Sequence, residues 1–239
     1  MRILVAAPPK TGNMWLKGLL GTIYDLRWLK PKEIPARAEL DAFKEWVASG
    51  AFADGTIYHQ HYDYADEICD TAEAIPAHVV TLVRDPYDAF VSTYYTLQQH
   101  HDDDNRKQRG KTELMGEPLD DPAVIAFLRA GGYRNNLVKA RDWMGSGRAH
   151  VVRYEALHAD PRRELTELTD AIQPAPRETI ERAIDTCRAE NMRLRSKGMA
   201  KHVRAARPDD ARQQLNEEHY AAFRDTYADL VRELGYEVR

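Results

Sequence analysis

Residues 1–17 read MRILVAAPPKTGNMWLK, and their order decides the fold. The apolar run from Ile3 to Ala7 predicts a buried strand. Pro8-Pro9-Lys10-Thr11-Gly12-Asn13 follows at once, and an apolar-rich helical pattern starts at Met14. A strand, a short loop with lysine, hydroxyl and glycine, then a helix can hold a phosphate-type anion. The loop N–H groups and the helix N-terminus point at the anion, Lys10 adds a formal charge, and Gly12 lets the backbone come close. The P-loop of nucleotide triphosphatases is a different pattern: it needs a first glycine, then Gly-Lys and Ser or Thr. Here Lys10-Thr11 precedes Gly12 and the first glycine is missing. No GxGxxG follows the strand, so a dinucleotide fold is unsupported. Taken alone, the loop also reads as an ordinary turn between strand and helix.

A second anchor lies further along. His78 to Val83 (HVVTLV) is β-branched and apolar and predicts another buried strand. It ends in Arg84-Asp85-Pro86-Tyr87-Asp88 and runs into AFVSTYYTLQQ, a helical pattern with Pro86 near its start. Arg84 stands at the C-terminal end of the strand, where ligands sit in open α/β sheets. Ser92 follows eight residues later, about two helical turns on, and both can reach one anion if the helix runs back past the strand end.

On these residues the chain resembles the sulfotransferases that use 3′-phosphoadenosine-5′-phosphosulfate (PAPS). PKTGNMW (Pro9 to Trp15) is similar to the family's 5′-phosphosulfate loop, PKSGTTW. VTLVRDPYDAFVSTYY (Val80 to Tyr95) is similar to its 3′-phosphate motif, with Arg84 and Ser92 matching in type and spacing. VVRYEALHADP (Val151 to Pro161) resembles a later strand ending in Tyr-Glu, and Tyr154 takes the position that contacts adenine. The resemblance implies PAPS as donor, with no metal required, and a P-loop-like α/β fold. The implied donor-binding residues are Lys10, Thr11, Gly12, Asn13, Met14, Trp15, Arg84, Ser92, Tyr154 and Arg204. Lys10 would neutralise the leaving phosphate, Trp15 would pack against adenine or serve as a core residue, and Arg84, Ser92 and Arg204 would bind the 3′-phosphate.

The chain departs from the family pattern in places. Asn13-Met14 replaces Thr-Thr; Asn13 can still donate to a phosphate oxygen, and Met14 cannot. Asp85 replaces the commoner Asn, which is tolerable if it faces away from the phosphate. The family's C-terminal Arg-Lys-Gly clamp has two candidate registers, Ser196-Lys197-Gly198 and Arg204 to Arg212, of which the second is preferred. LNEEHYAAFRDTYADLVRELGY resembles the family's closing helix.

The family carries a catalytic His after its second strand. Here Gly55 to Tyr64 reads GTIYHQHYDY, and alternation places His59 and His61 on one face. His61 matches the family base and His59 the preceding lysine. Histidine suits the task because its ordinary pKa, about 6.5, lies near working pH. Sulfuryl transfer poses the same problem as phosphoryl transfer: a flat anionic group and a loose transition state leave positioning and charge stabilisation to the protein.

The remaining sequence bounds the reading. A chain of 239 residues predicts one domain, with strands alternating with helices: a central parallel sheet flanked by helices on both faces. A net charge of −4 speaks against nucleic-acid partners. Two cysteines, Cys69 and Cys187, are too few for a disulfide framework, and with no signal peptide or transmembrane run the expected location is cytoplasmic. Residues 100–121 are highly charged without apolar period and predict a mobile loop, a lid over the acceptor site or plain disorder. His100 and His101 beside Asp102 to Asp104 could bind a cation weakly or be a solvated loop. A basic irregular segment, 193–212, is expected to clamp the donor. Tyr58, Tyr62, Tyr64, Tyr94 and Tyr95 could line an acceptor site or pack the core. The acceptor class is open: a small-molecule, glycolipid or glycan hydroxyl. A phosphotransferase on the same fold and a non-catalytic nucleotide-binding relative are the alternative functions.

Overall fold

The computed structural model describes residues 1–29, 31–35, 39–98, 114, 116–195 and 207–239. Five parallel strands form its sheet: β1 (Arg2–Ala6), β2 (Arg27–Trp28), β3 (Thr56–Gln60), β4 (Ala77–Val83) and β5 (His150–Arg153), in the order β2-β3-β1-β4-β5. Period-two alternation splits β1 between two cores. Ile3 and Val5 pack with Leu16 and Leu20 of helix α1 (Asn13–Ile23), while Leu4 and Ala6 pack with Phe43 and Ile68 on the other face. Helices therefore cover both faces, as the βα alternation predicts. Phe43 belongs to α2 (Leu40–Ala48) and Ile68 to α3 (Asp66–Glu73).

After β3 the chain crosses to the opposite side of β1 to form β4. That reversal opens a crevice at the C-terminal ends of β1, β3 and β4, the place where open α/β sheets bind ligands. The Lys10 loop, His61 and Arg84 each follow one of these three strands directly.

Asp-Pro pairs start three helices. Asp85 precedes α4 (Pro86–Gln98), and its Oδ1 accepts the N–H groups of Tyr87 (2.9 Å) and Asp88 (3.0 Å). Asp121 caps α5 (Pro122–Arg129) through the Ala123 N–H at 2.8 Å. Helix α6 (Arg134–Gly145) leads to β5, and α7 (Tyr154–Ala159) leaves it. Asp160 then caps α8 (Pro161–Ile172) through the Arg163 N–H at 3.1 Å. In each case carboxylate and proline together remove donors that a helix start leaves unbonded. Helices α9 (Arg177–Thr186), α10 (Ala189–Arg195), α11 (Ala211–Gln214) and α12 (Glu217–Glu233) close the chain. A third core joins α4, α5 and α12 through Phe90, Leu128, Phe223 and Val231.

Lys17 lies inside the fold, only 6% exposed, with its ammonium 4.7 Å from the Trp28 ring centroid. Burial pushes it down from 10.5 to about 8. A lysine depressed in the folded state costs stability below pH 8, and the cost fades as pH rises towards 10.5. Lys17→Met should therefore raise unfolding free energy at pH 7 by ~1–3 kcal/mol, with the gain shrinking between pH 8 and 10.5. Denaturant melts of both proteins at pH 7 and 10 check this.

Cys69 and Cys187 are both buried and are not joined in a disulfide. Among the described residues no helix is long and apolar enough to cross a membrane.

Candidate active site

The loop between β1 and α1 is braced from within. Lys10 has a φ of 69° and Gly12 a φ of 107°, so the chain turns sharply before Asn13 opens the helix. The Thr11 hydroxyl lies 3.0 Å from the Pro8 carbonyl and 3.1 Å from Asn13 Oδ1. Asn13 Nδ2 donates to the same carbonyl at 2.8 Å. Both side chains are buried, and the Asn13 amide ties the loop to itself. What Asn13 and Met14 offer an anion is backbone: first-turn N–H groups have no partner within the helix.

Tyr154 follows β5 directly and starts α7. Its ring lies 4.3 Å below the Arg84 guanidinium and 5.7 Å from Trp15, edge to face. A Cβ on Gly12 would stand 2.8 Å from Tyr154 Cδ2. Gly12→Ala therefore meets a positive φ and a closed wall at once. The variant should lose ~2–4 kcal/mol of stability, which thermal melts of variant and parent read.

Arg84 connects three parts of the chain. Its Nη1 donates to the Lys10 carbonyl at 3.2 Å and its Nη2 to the Arg207 carbonyl at 3.3 Å. Its Nε is buried and meets no hydrogen-bond partner among the described residues. Asp88, one turn on, lies 3.8 Å from Nη2 and accepts the N–H groups of Asp209 and Ala211, each at 2.8 Å. Ser92 is a further turn along α4 and half-buried. Arg204, Lys197 and Gly198 lie outside the described residues, but the segment's described end, from Arg207, docks on Arg84 and Asp88.

Asp85 faces away from the loop. Its Oδ2 takes Arg239 Nη2 at 2.9 Å, its N–H donates to Glu155 Oε1 at 2.8 Å, and burial pushes its carboxyl up to about 6. Tyr236 donates to Glu155 Oε2 at 2.9 Å. The Leu-Gly-Tyr end of the chain thus buttresses the start of α4.

On the other side of the crevice, His61 sits one residue past β3 rather than inside it. Its Nδ1 is 2.8 Å from the Ala7 carbonyl. A carbonyl only accepts, so Nδ1 carries the proton and Nε2 is the basic nitrogen. Burial first, then Lys139 and Lys10, pushes the imidazole below its ordinary value, against the raising effect of the Ala7 bond. The His59 ring is 5.3 Å away, perpendicular to it.

Tyr58 and Tyr62 are core residues, hydroxyl to hydroxyl at 2.7 Å, and Tyr94 is buried. Tyr64 bonds Asp66, and the Tyr95 hydroxyl meets Gln214 at 2.5 Å. Of the charged stretch, 100–113 and 115 lie outside the described residues, the His100–His101 pair among them. Its end is folded: Tyr94 donates to the Glu117 carbonyl at 2.7 Å and Leu114 is buried. Among the described residues no group of three or more His, Cys, Asp or Glu is placed to hold a metal ion.

The mouse sulfotransferase SULT7A1, solved with 3′-phosphoadenosine-5′-phosphate (PAP), superposes with a TM-score of 0.68 at 13% identity, over 97% of this chain and 84% of its own. Retinol dehydratase, solved with androsterone and PAP, gives a TM-score of 0.63 at 13% identity, over 100% of this chain and 82% of its own. No curated protein matches the sequence significantly. A family model described as a sulfotransferase domain matches residues 1–235. With nearly its whole length covered by that match, the chain belongs to the sulfotransferase family.

Proposed function

We propose that the chain transfers the sulfuryl group of PAPS to an acceptor hydroxyl, with His61 as general base. The carrying observation is the His61–Ala7 bond, which leaves Nε2 basic beside the loop that would hold the sulfuryl donor. The residues fit such a donor: a buried Arg84 Nε without partner among the described residues, a glycine against Tyr154, and first-turn amides that the helix leaves unbonded. PAPS supplies the activated S–O bond. Amides from Thr11 to Met14 would cradle the 5′-phosphate, and Lys10 would neutralise the oxygen that leaves. Arg84, Ser92 and Arg204 would grip the 3′-phosphate, with Trp15 and Tyr154 on the adenine side. Nε2 of His61 takes the hydroxyl proton as the acceptor oxygen attacks sulfur, and His59 flanks it. No step requires a metal.

The acceptor is a hydroxyl compound, with a small-molecule alcohol or phenol as the first choice. Retinol dehydratase has been solved with androsterone and with retinol, which favours that class. Glycolipid and glycan hydroxyls are the other classes to assay. Incubation with ³⁵S-labelled PAPS and a panel of the three classes tests the reading. Label transferred to an acceptor with release of PAP supports it. Phosphoryl transfer from magnesium ATP in the same panel would overturn it in favour of a phosphotransferase.

A further inference from the structure

Lys139 and Trp143 stand four residues apart on α6, so both project from one helix face. The Lys139 ammonium donates to the His61 carbonyl, and Trp143 Nε1 donates to the next carbonyl, Tyr62, at 2.9 Å. One helix thus holds two consecutive peptide groups at the point where the chain leaves β3. Lys139 is largely buried, 13% exposed, and its counter-charge is Asp63 at 3.1 Å, which is 85% exposed.

We propose that Lys139 is a positioning residue for His61: its ammonium, paired with Asp63, fixes the backbone from which the imidazole projects. The proposal rests on reading His61 as the base. A backbone carbonyl needs no ammonium; a neutral donor would satisfy it, as Trp143 satisfies Tyr62. What an ammonium adds is charge beside a group whose task is to stay neutral until the acceptor's proton arrives. Among the described residues, the charged and titratable groups facing His61 are Lys139 from α6, Lys10 from the β1 loop and His59 from β3. The two lysines act in the same direction, and burial reinforces both.

The test needs no acceptor. Histidine Cε1–H NMR signals of the full chain are titrated, and His61 is picked from the nine histidines by its absence in His61→Asn. In Lys139→Met the His61 midpoint should rise by about one pH unit. In Asp63→Asn it should fall, by less, because Asp63 is exposed. Lys139→Arg keeps the charge and should stay near the parent. PAP affinity should remain within about twofold in all three, since none of the proposed donor ligands is altered. An unmoved midpoint in folded Lys139→Met, or a rise in Asp63→Asn, overturns the proposal. The Asp63 variant decides the matter if Lys139→Met does not fold. PAP binding with an unmoved midpoint defeats only this proposal. A moved midpoint without PAP binding defeats only the sulfotransfer reading.

Discussion

His61→Ala is expected to lower sulfuryl transfer by about 10²–10⁴-fold, the usual worth of a positioned general base, while PAP binding is kept. The loop and Arg84 that would hold PAP belong to other strands, so removing this ring leaves them in place. The pH dependence carries the same signature. His61 is held below its ordinary value, chiefly by burial, so the neutral base persists to more acidic pH than a free histidine. Activity should be flat through neutrality and fall only as pH drops through that lowered value. Rates of parent and variant from pH 5 to 8, beside PAP titrations, check both statements. Parental rates in His61→Ala would remove His61 as the base and promote His59.

Arg84→Ala should weaken PAP binding by about 10²-fold or more, roughly 3 kcal/mol, and abolish preference over nucleotides lacking the 3′-phosphate. The loss has two sources. The guanidinium is the candidate 3′-phosphate ligand, and it also joins the Lys10 carbonyl, the Arg207 carbonyl and the Tyr154 ring. Arg84→Lys keeps the charge but cannot bond two carbonyls at once from a planar fork, so it should recover only a small part. Titrations of PAP and ADP into both variants read the discrimination directly. Unchanged PAP affinity in Arg84→Ala would place the 3′-phosphate elsewhere.

Much of this arrangement is legible in local sequence because strands and their following turns are local. MRILVAA and HVVTLV carry the buried-strand pattern, and the residues after them carry the charges that the crevice collects. What sequence left unread depends on contacts across the chain. Asp88 looks like an ordinary helix residue until the Asp209 and Ala211 amides arrive from 121 and 123 residues away. Lys139 reads as a solvated helix lysine, and only the packing of α6 beside the β3 exit gives it a task. The sequence pattern puts Tyr154 at a strand end; β-branched Val151 and Val152 justify the strand, yet the backbone turns helical at Tyr154 and buries its ring under Arg84. Asn13 reads in sequence only as an amide able to donate, and the folded loop sets its Nδ2 on the Pro8 carbonyl. The five tyrosines could line a site or fill a core by composition alone, and strand alternation sent Tyr58 into the core beneath β3.

The account stands on one recognition event, a nucleotide known by its 3′-phosphate. Calorimetric titration of the purified, metal-free protein with PAP, ADP and magnesium ATP tests it most directly. The account predicts tight binding of PAP alone, lost in Arg84→Ala. Preference for magnesium ATP, or no binding of any of the three, would contradict it.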